Sequence, residues 1–256
     1  MIVSVLGTAA GNGSQIATSS YLIDVSTLMD CGSGVETLST ESQLAVERVL
    51  LTHSHLDHCS GLPALLACHA AHGGKGLTVH SQQETIDELL NGLMAEPGHQ
   101  GYLQAQTPQG EPLLRFAALE VGDAIPLADG MATALPAQHN IASIGWVIEG
   151  PWRALAYTGD SALCPAFWHW AANVPSLSDI ICEVTYPSSD PERAAQEGHM
   201  TPATLLPMLE LIPPNVQIWI SHLDPSLREQ ALGELKRLAP AGLNIAELQH
   251  SSVIDL

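Results

Sequence analysis

Six consecutive residues, His53-Ser54-His55-Leu56-Asp57-His58, carry three imidazoles and a carboxylate, and few folds can accommodate such a segment. It follows the apolar, β-favouring run Val49-Leu50-Leu51, so a buried strand is expected to end where the polar cluster begins. Protonated rings packed this closely would repel one another below neutral pH, which makes them poor surface decoration. Imidazole and carboxylate together suit zinc, iron or manganese. The bland alternative is a polar loop that happens to be rich in histidine.

Polar residues recur at the ends of other apolar stretches. The run 131–137 is followed by His139, which taken alone is as readily structural as a metal ligand. Ala154-Leu155-Ala156-Tyr157 leads into Thr158-Gly159-Asp160, where the glycine permits a sharp turn; a helix N-cap is the other reading of Asp160. Asp30 closes a hairpin over 20–32, as a supporting residue or as an ordinary turn aspartate. Glu183 lies inside the strand 179–186. His199 precedes a helix expected over 202–211, where a simple cap contact is the alternative, and the strand from Val216 ends in His222. His69, His72, His169 and His250 are expected to lie outside any site, and His99 reads as a solvated loop histidine, with contact to substrate the alternative.

Elsewhere the pattern predicts helices over 35–47, 62–72, 82–91 and 225–238, the third opened by a capping-type Ser81-Gln82-Gln83-Glu84. Segments 113–120, 124–127 and 131–137 read as strands of a second sheet, and 244–248 as a closing strand. Residues 92–112, rich in Gly, Pro and Gln, read as a loop placed to act as a lid or specificity element. Gly7 to Gly13 reads as a tight glycine-rich turn near the mouth of the site, without the lysine of a phosphate-binding loop.

Charge narrows the chemistry. Eight basic residues against 27 acidic ones leave a formal charge of −19, the wrong balance for gripping nucleic-acid phosphates. A small, singly charged phosphodiester is repelled far less, and two bound divalent cations would offset part of the excess locally. Five cysteines without CxxC spacing suit reduced thiols. With no basic leader and no apolar run near the roughly 20 residues of a membrane span, a cytoplasmic location is expected.

The motif His53-x-His55-x-Asp57-His58 after an apolar strand resembles the signature of the metallo-β-lactamase superfamily. Its extension through Gly61-Leu62 resembles the class II cyclic nucleotide phosphodiesterases, although Pro63 to Cys68 follows where those continue to Ser-Ala or Ser-Pro. The pairing of Glu183-x-Thr185 with His199-x-Thr201 resembles both those enzymes and tRNase Z, and Ser143-x-Gly145-x-Val147 after His139 fits a further superfamily motif. The ending Ile218-x-Ile220-Ser221-His222 with Pro225 is similar to the class II phosphodiesterase one.

This resemblance implies an α/β, four-layer αββα sandwich formed by a single domain over 1–256. It implies two divalent metal ions, zinc first, with iron or manganese accepted by the same ligands. His53, His55 and His139 would hold one and Asp57, His58 and His222 the other, with Asp160 between them and Asp30 supporting the ligands by hydrogen bonding. The catalytic set would be His199, Glu183 and Asp57. Hydroxide would attack the phosphorus of a 3′,5′-cyclic nucleotide in line, with His199 protonating the departing 3′ oxygen to give a 5′-monophosphate. The expected partner is this small-molecule phosphodiester, with neither nucleic acid nor membrane; a homodimer is compatible with the sequence. The principal rival is a tRNase Z-like phosphodiesterase acting on RNA, followed by another hydrolase of the same fold and, last, a non-enzymatic metal-binding protein.

Overall fold

Short apolar runs broken by glycine and polar turns favour strands over long helices, and among the described residues the strands assemble as two seven-stranded sheets. A computed structural model describes residues 1–11 and 16–256; the Asn12-Gly13 end of the expected glycine-rich turn lies outside them. The first sheet contains β1 (Ile2–Gly7), β2 (Ser20–Ile23), β3 (Thr27–Cys31), β4 (Arg48–Leu50), β5 (Leu77–Ser81) and β6 (Leu114–Ala118). The second contains β7 (Ala124–Pro126), β8 (Met131–Pro136), β9 (Ile144–Glu149), β10 (Ala154–Tyr157), β11 (Leu177–Glu183), β12 (Gln217–Ser221) and β13 (Asn244–Glu247). The last strand, β14 (Val253–Asp255), returns to pair with β1 in the first sheet.

The strand side chains alternate between two apolar environments. Leu50 faces inward with Tyr21 and Met29, against Ile144, Trp146 and Leu155 of the second sheet. The first helices are α1 (Thr40–Ala45), α2 (Leu56–Cys59), α3 (Leu62–His72) and α4 (Gln83–Asn91), and Val49 and Val79 face outward, under α3 and α4. On the far side, α5 (Pro165–Ala172) and α7 (Pro202–Leu209) cover the second sheet with α8 (Arg228–Leu238). Both faces of each sheet are therefore buried, which explains the near-continuous apolar runs. The expected αββα layering is the observed one.

Several local expectations are corrected. Segment 113–120 joins the first sheet, because α4 carries the chain over to place β6 parallel to β5. The helix expected over 35–47 splits into a 3-10 turn, Ser33–Thr37, and a short helix, Thr40–Ala45, because Ser39 is extended and its hydroxyl accepts from the Ser42 amide. Ser81 does not cap α4; its hydroxyl donates to the Leu51 carbonyl. Residues 92–112 contain two 3-10 turns and pack Met94 and Tyr102 against the outer core, and none of them lines the cavity described below. Helix α5, helix α6 (Pro191–Glu197) and β14 are not evident from the sequence pattern. No helix among the described residues is long and apolar enough to cross a membrane.

What matters for function is direction. Strands β3 to β6 run parallel, as do β10 to β13. The C-terminal ends of both sets gather at one edge of the sandwich, joined there by the Ile144 amide donating to the Thr52 carbonyl.

Candidate metal centre

Each polar residue singled out at a strand end arrives at this edge. His53 and His55 follow β4, and Asp57 and His58 lie in a single turn of helix, Leu56–Cys59. His139 sits on the β8–β9 connection, Asp160 three residues beyond β10, and His222 one beyond β12. Ligand-type atoms of His53, His55, His139 and Asp160 lie within 4.8 Å of one another, as do those of Asp57, His58 and His222. Asp160 Oδ2 is 3.6 Å from His53 Nε2 and 3.3 Å from His222 Nε2, so this carboxylate stands between the two groups.

Partners on the remote nitrogens fix which atom each ring points inward. His58 Nδ1 donates to Asp30 Oδ2 at 2.7 Å, and His139 Nδ1 to the Gly198 carbonyl at 2.9 Å. His222 Nδ1 donates to Thr185 Oγ1 at 3.0 Å and His53 Nδ1 to Thr52 Oγ1 at 2.9 Å. With those protons placed, the inward nitrogens carry lone pairs. His58 Nε2 faces His222 Nε2 at 3.2 Å, and His139 Nε2 faces His55 Nδ1 at 3.1 Å. Lone pairs aimed at one another and at two carboxylates repel unless a cation lies between them. Two buried atoms here, His53 Nε2 and Asp160 Oδ1, have no hydrogen-bond partner. Such orphaned atoms demand an explanation, and this donor set fits divalent metal.

The electrostatics agree. Burial, then the neighbouring His58 charge, pushes the His53 ring well below the ordinary histidine range, and burial lowers His55 and His139 as well. Burial opposes ionisation of Asp160, but the facing His222 and His58 rings prevail and hold its carboxyl well below the usual range. Asp57 is held down likewise by its hydrogen bond with His222 against the effect of burial. His58 goes the other way: burial works against its charge, but the Asp160 and Asp30 carboxylates outweigh it and raise the ring well above the ordinary histidine range, so a metal would have to displace its proton. Neutral imidazoles and ionised carboxylates are the forms that coordinate metal.

Asp30 is fully buried and supports the cluster as expected. It accepts from the Thr52 amide at 2.8 Å, the Tyr157 hydroxyl at 2.8 Å and His58. Its φ of 55° and that of His222, 53°, are left-handed values that cost a non-glycine residue about 1–3 kcal/mol and concentrate at working sites. Glycine is required at two points. Gly159, at φ +58°, turns the chain so that Asp160 points inward. A Cβ on Gly198, at φ +77°, would stand 2.8 Å from His139 Nδ1.

Glu183 Oε1 accepts from His199 Nδ1 at 3.0 Å and from the Met200 amide at 3.0 Å. Burial works against the His199 charge, but the Glu183 carboxylate outweighs it and raises the ring to about 9. His199, His55, Asp57, Asp160 and His222 line a cavity of about 370 Å³ together with Arg193. Arg193 stacks over Tyr186, 4.4 Å from its ring centre, and its Nε donates to Glu197 at 3.1 Å. Sequence reading passed over Thr52, Tyr157 and Arg193; only the placement of Thr52 beside His53 hinted at a role. Four other histidines serve the scaffold. Buried His69 donates to the Gln43 carbonyl and accepts from the Gly76 amide, while His99, His169 and His250 each donate to a backbone carbonyl.

The family model of the β-lactamase superfamily domain matches residues 27–222. A Ribonuclease Z of Bradyrhizobium diazoefficiens is 30% identical over 131 residues, which are 49% of this chain and 41% of that protein. A Ribonuclease Z of Pyrobaculum islandicum is 26% identical over 247 residues, 84% of this chain and 81% of that protein. The chain thus spans less than half of the first relative and most of the second. Among solved structures, unliganded yeast PDE1 superposes with a TM-score of 0.83 at 17% identity, covering 100% of this chain and 99% of that one.

Proposed function

The chain belongs to the metallo-β-lactamase superfamily, and on that premise we propose that it is a metal-dependent hydrolase of a small phosphodiester, a 3′,5′-cyclic nucleotide. The observation that carries this reading is His199, held at the cavity by Glu183 with its second ring nitrogen left to meet a substrate. Hydrolysis of an ester with a poor alkoxide leaving group needs such a proton donor.

His53, His55 and His139 would hold one divalent cation and Asp57, His58 and His222 the other, with Asp160 shared. Such a pair supplies a water of lowered pKa and positive charge against the phosphoryl oxygens. The chain's own groups do the rest. The Gly11 amide donates to Asp57 Oδ2 at 2.8 Å, steadying that carboxylate at the cavity wall. Arg193 is the sole Lys or Arg lining the cavity among the described residues, and its terminal nitrogens can pair with a non-bridging phosphoryl oxygen. As water adds its oxygen to phosphorus and releases a proton, which restores His199 over the cycle, the ester P–O bond breaks and His199 gives its proton to the departing oxygen. A phosphate monoester and an alcohol result, joined in one molecule when the diester is cyclic.

Cavity and charge favour a small substrate. About 370 Å³ lies at the lower end of the roughly 300–1,000 Å³ typical of small-ligand sites, and a formal charge of −19 disfavours a polyanion. The relatives named Ribonuclease Z support a second reading, an RNA phosphodiester. Metal-loaded protein assayed against cyclic AMP, cyclic GMP, bis(p-nitrophenyl) phosphate and pre-tRNA separates the two. Conversion of a cyclic nucleotide to the 5′-monophosphate is expected; cleavage of pre-tRNA alone overturns the proposal in favour of RNA.

A further inference from the structure

Three of the eight Lys and Arg residues, Arg48, Lys75 and Arg115, line one groove of about 310 Å³. It lies at the N-terminal ends of β4 to β6, opposite the edge that carries the His/Asp cluster. Its arrangement follows from register. Arg48 pairs with Thr78 and Thr78 with Arg115 across three adjacent parallel strands, so all three side chains stand on one face. That is the inner face, where Arg48 Nη1 reaches across to the Pro126 carbonyl of β7 at 3.0 Å. Neighbouring strands are about 4.8 Å apart. The two arginines therefore stand on either side of Thr78.

Each arginine is anchored through one nitrogen and keeps others to give. Arg115 Nη1 donates to the Pro112 carbonyl at 3.0 Å, with Glu111 3.8 Å away outside the groove. Glu47 is the one carboxylate on the groove's lining and is paired with Lys75. The lining is thus net positive in a chain whose overall charge is strongly negative. His80, two residues past Thr78 on the same face, registers that potential: burial and then the Arg48 charge hold its ring down to about 4.

We propose that this groove binds a phosphate monoester dianion, seated between the Arg48 and Arg115 forks over Thr78. Two forks and a hydroxyl match three phosphoryl oxygens, and the volume leaves room for a small organic substituent. The proposal is independent of the reading of the metal centre, and its test is run on chelator-treated protein so that bound metal cannot contribute.

Isothermal titration with inorganic phosphate, glycerol 3-phosphate and dimethyl phosphate is the measurement. The first two should bind and the monoanionic diester should bind at least about tenfold more weakly. Arg48→Gln with Arg115→Gln should weaken phosphate about a hundredfold or more, each lost charged contact accounting for tenfold or above. Arg48→Lys with Arg115→Lys keeps the charge without the fork and should fall between that variant and the parent. His55→Ala, in the metal cluster, should bind phosphate as the parent does. Phosphate affinity unchanged in the lysine pair, or lost in His55→Ala, overturns the proposal, as does a parent protein that binds no phosphate. If the glutamine pair does not fold, the lysine pair decides.

Discussion

Asp30 in the first sheet and Glu183 in the second are built into matching devices. Each is a buried carboxylate at the end of a parallel strand that accepts from a threonine hydroxyl, Thr52 or Thr185. Each threonine in turn holds the remote nitrogen of an inward histidine, His53 or His222. Each carboxylate also grips a second ring directly, His58 or His199. The difference lies in that second ring. His58 is fully buried and aims its free nitrogen at Asp160 and His222, whereas His199 borders the cavity with its side chain 10% exposed. One device orients ligands; the other can also deliver a proton. Chemistry at this edge is divided by where the rings point, since the carboxylate–threonine unit is the same.

Asp30→Ala attacks the device with no access to solvent and should have the largest effect. It strands the Tyr157 hydroxyl, the Thr52 amide and the His58 ring in the interior, and removing one partner from such a buried set costs about 3–5 kcal/mol. Urea denaturation should show that loss, and elemental analysis should show that metal binding goes with it. A variant that keeps both its metal and its stability would mean that the first device is dispensable.

His199→Gln attacks the other device at its exposed end. The expected outcome is a drop in kcat of about 10²–10⁴ with two metals per chain retained, the mark of a lost acid. The alternative is specific: atoms of His199, Asp160 and His222 also lie close enough to share an ion. A fall in metal stoichiometry would make His199 a ligand and erase the contrast with His58.

The same ring gives a pH signature. In metal-depleted protein His199 holds its proton more tightly when folded, about 9 against an ordinary value of 6.5. Its pairing with Glu183 therefore stabilises fully below about pH 6.5 and is lost as pH rises through about 9. The contribution is at most about 3 kcal/mol. The difference in unfolding free energy between parent and His199→Gln should shrink across that window. A difference that stays flat from pH 6 to 10 would show that the pair is not charged.

The seven residues that converge at this edge were legible because each lies in a polar segment that follows an apolar strand, a local and visible event. The Glu183–His199 pair and the supporting place of Asp30 were legible too. Tyr157 was out of reach: it meets Asp30 across 127 residues of chain from inside a strand that reads as pure core. Segment 113–120 was read as a strand correctly but put in the wrong sheet, because membership depends on the path of α4 and not on the segment's own residues. The basic groove was invisible for a related reason. Arg48, Thr78 and Arg115 are far apart in sequence and become neighbours only through parallel register.

The threonines offer the finest test of the comparison. Thr52 Oγ1 lies 3.0 Å from both oxygens of Asp30, and the Thr52 amide also binds Asp30, so the hydroxyl is one of several ties on that side. Thr185 Oγ1 lies within 3.2 Å of Glu183, His222 and His199 together. Replacing either by valine keeps the volume and deletes the hydroxyl, and losses of this kind typically weaken metal binding about 10–100-fold. Thr52→Val should fall at the low end and act on metal affinity alone, measured by competition with a chelator. Thr185→Val should also lower kcat at saturating metal, because it loosens the acid together with the ligand. Equal effects of the two on kcat would mean that the two devices do the same work, and that the direction of the second ring carries no catalytic meaning.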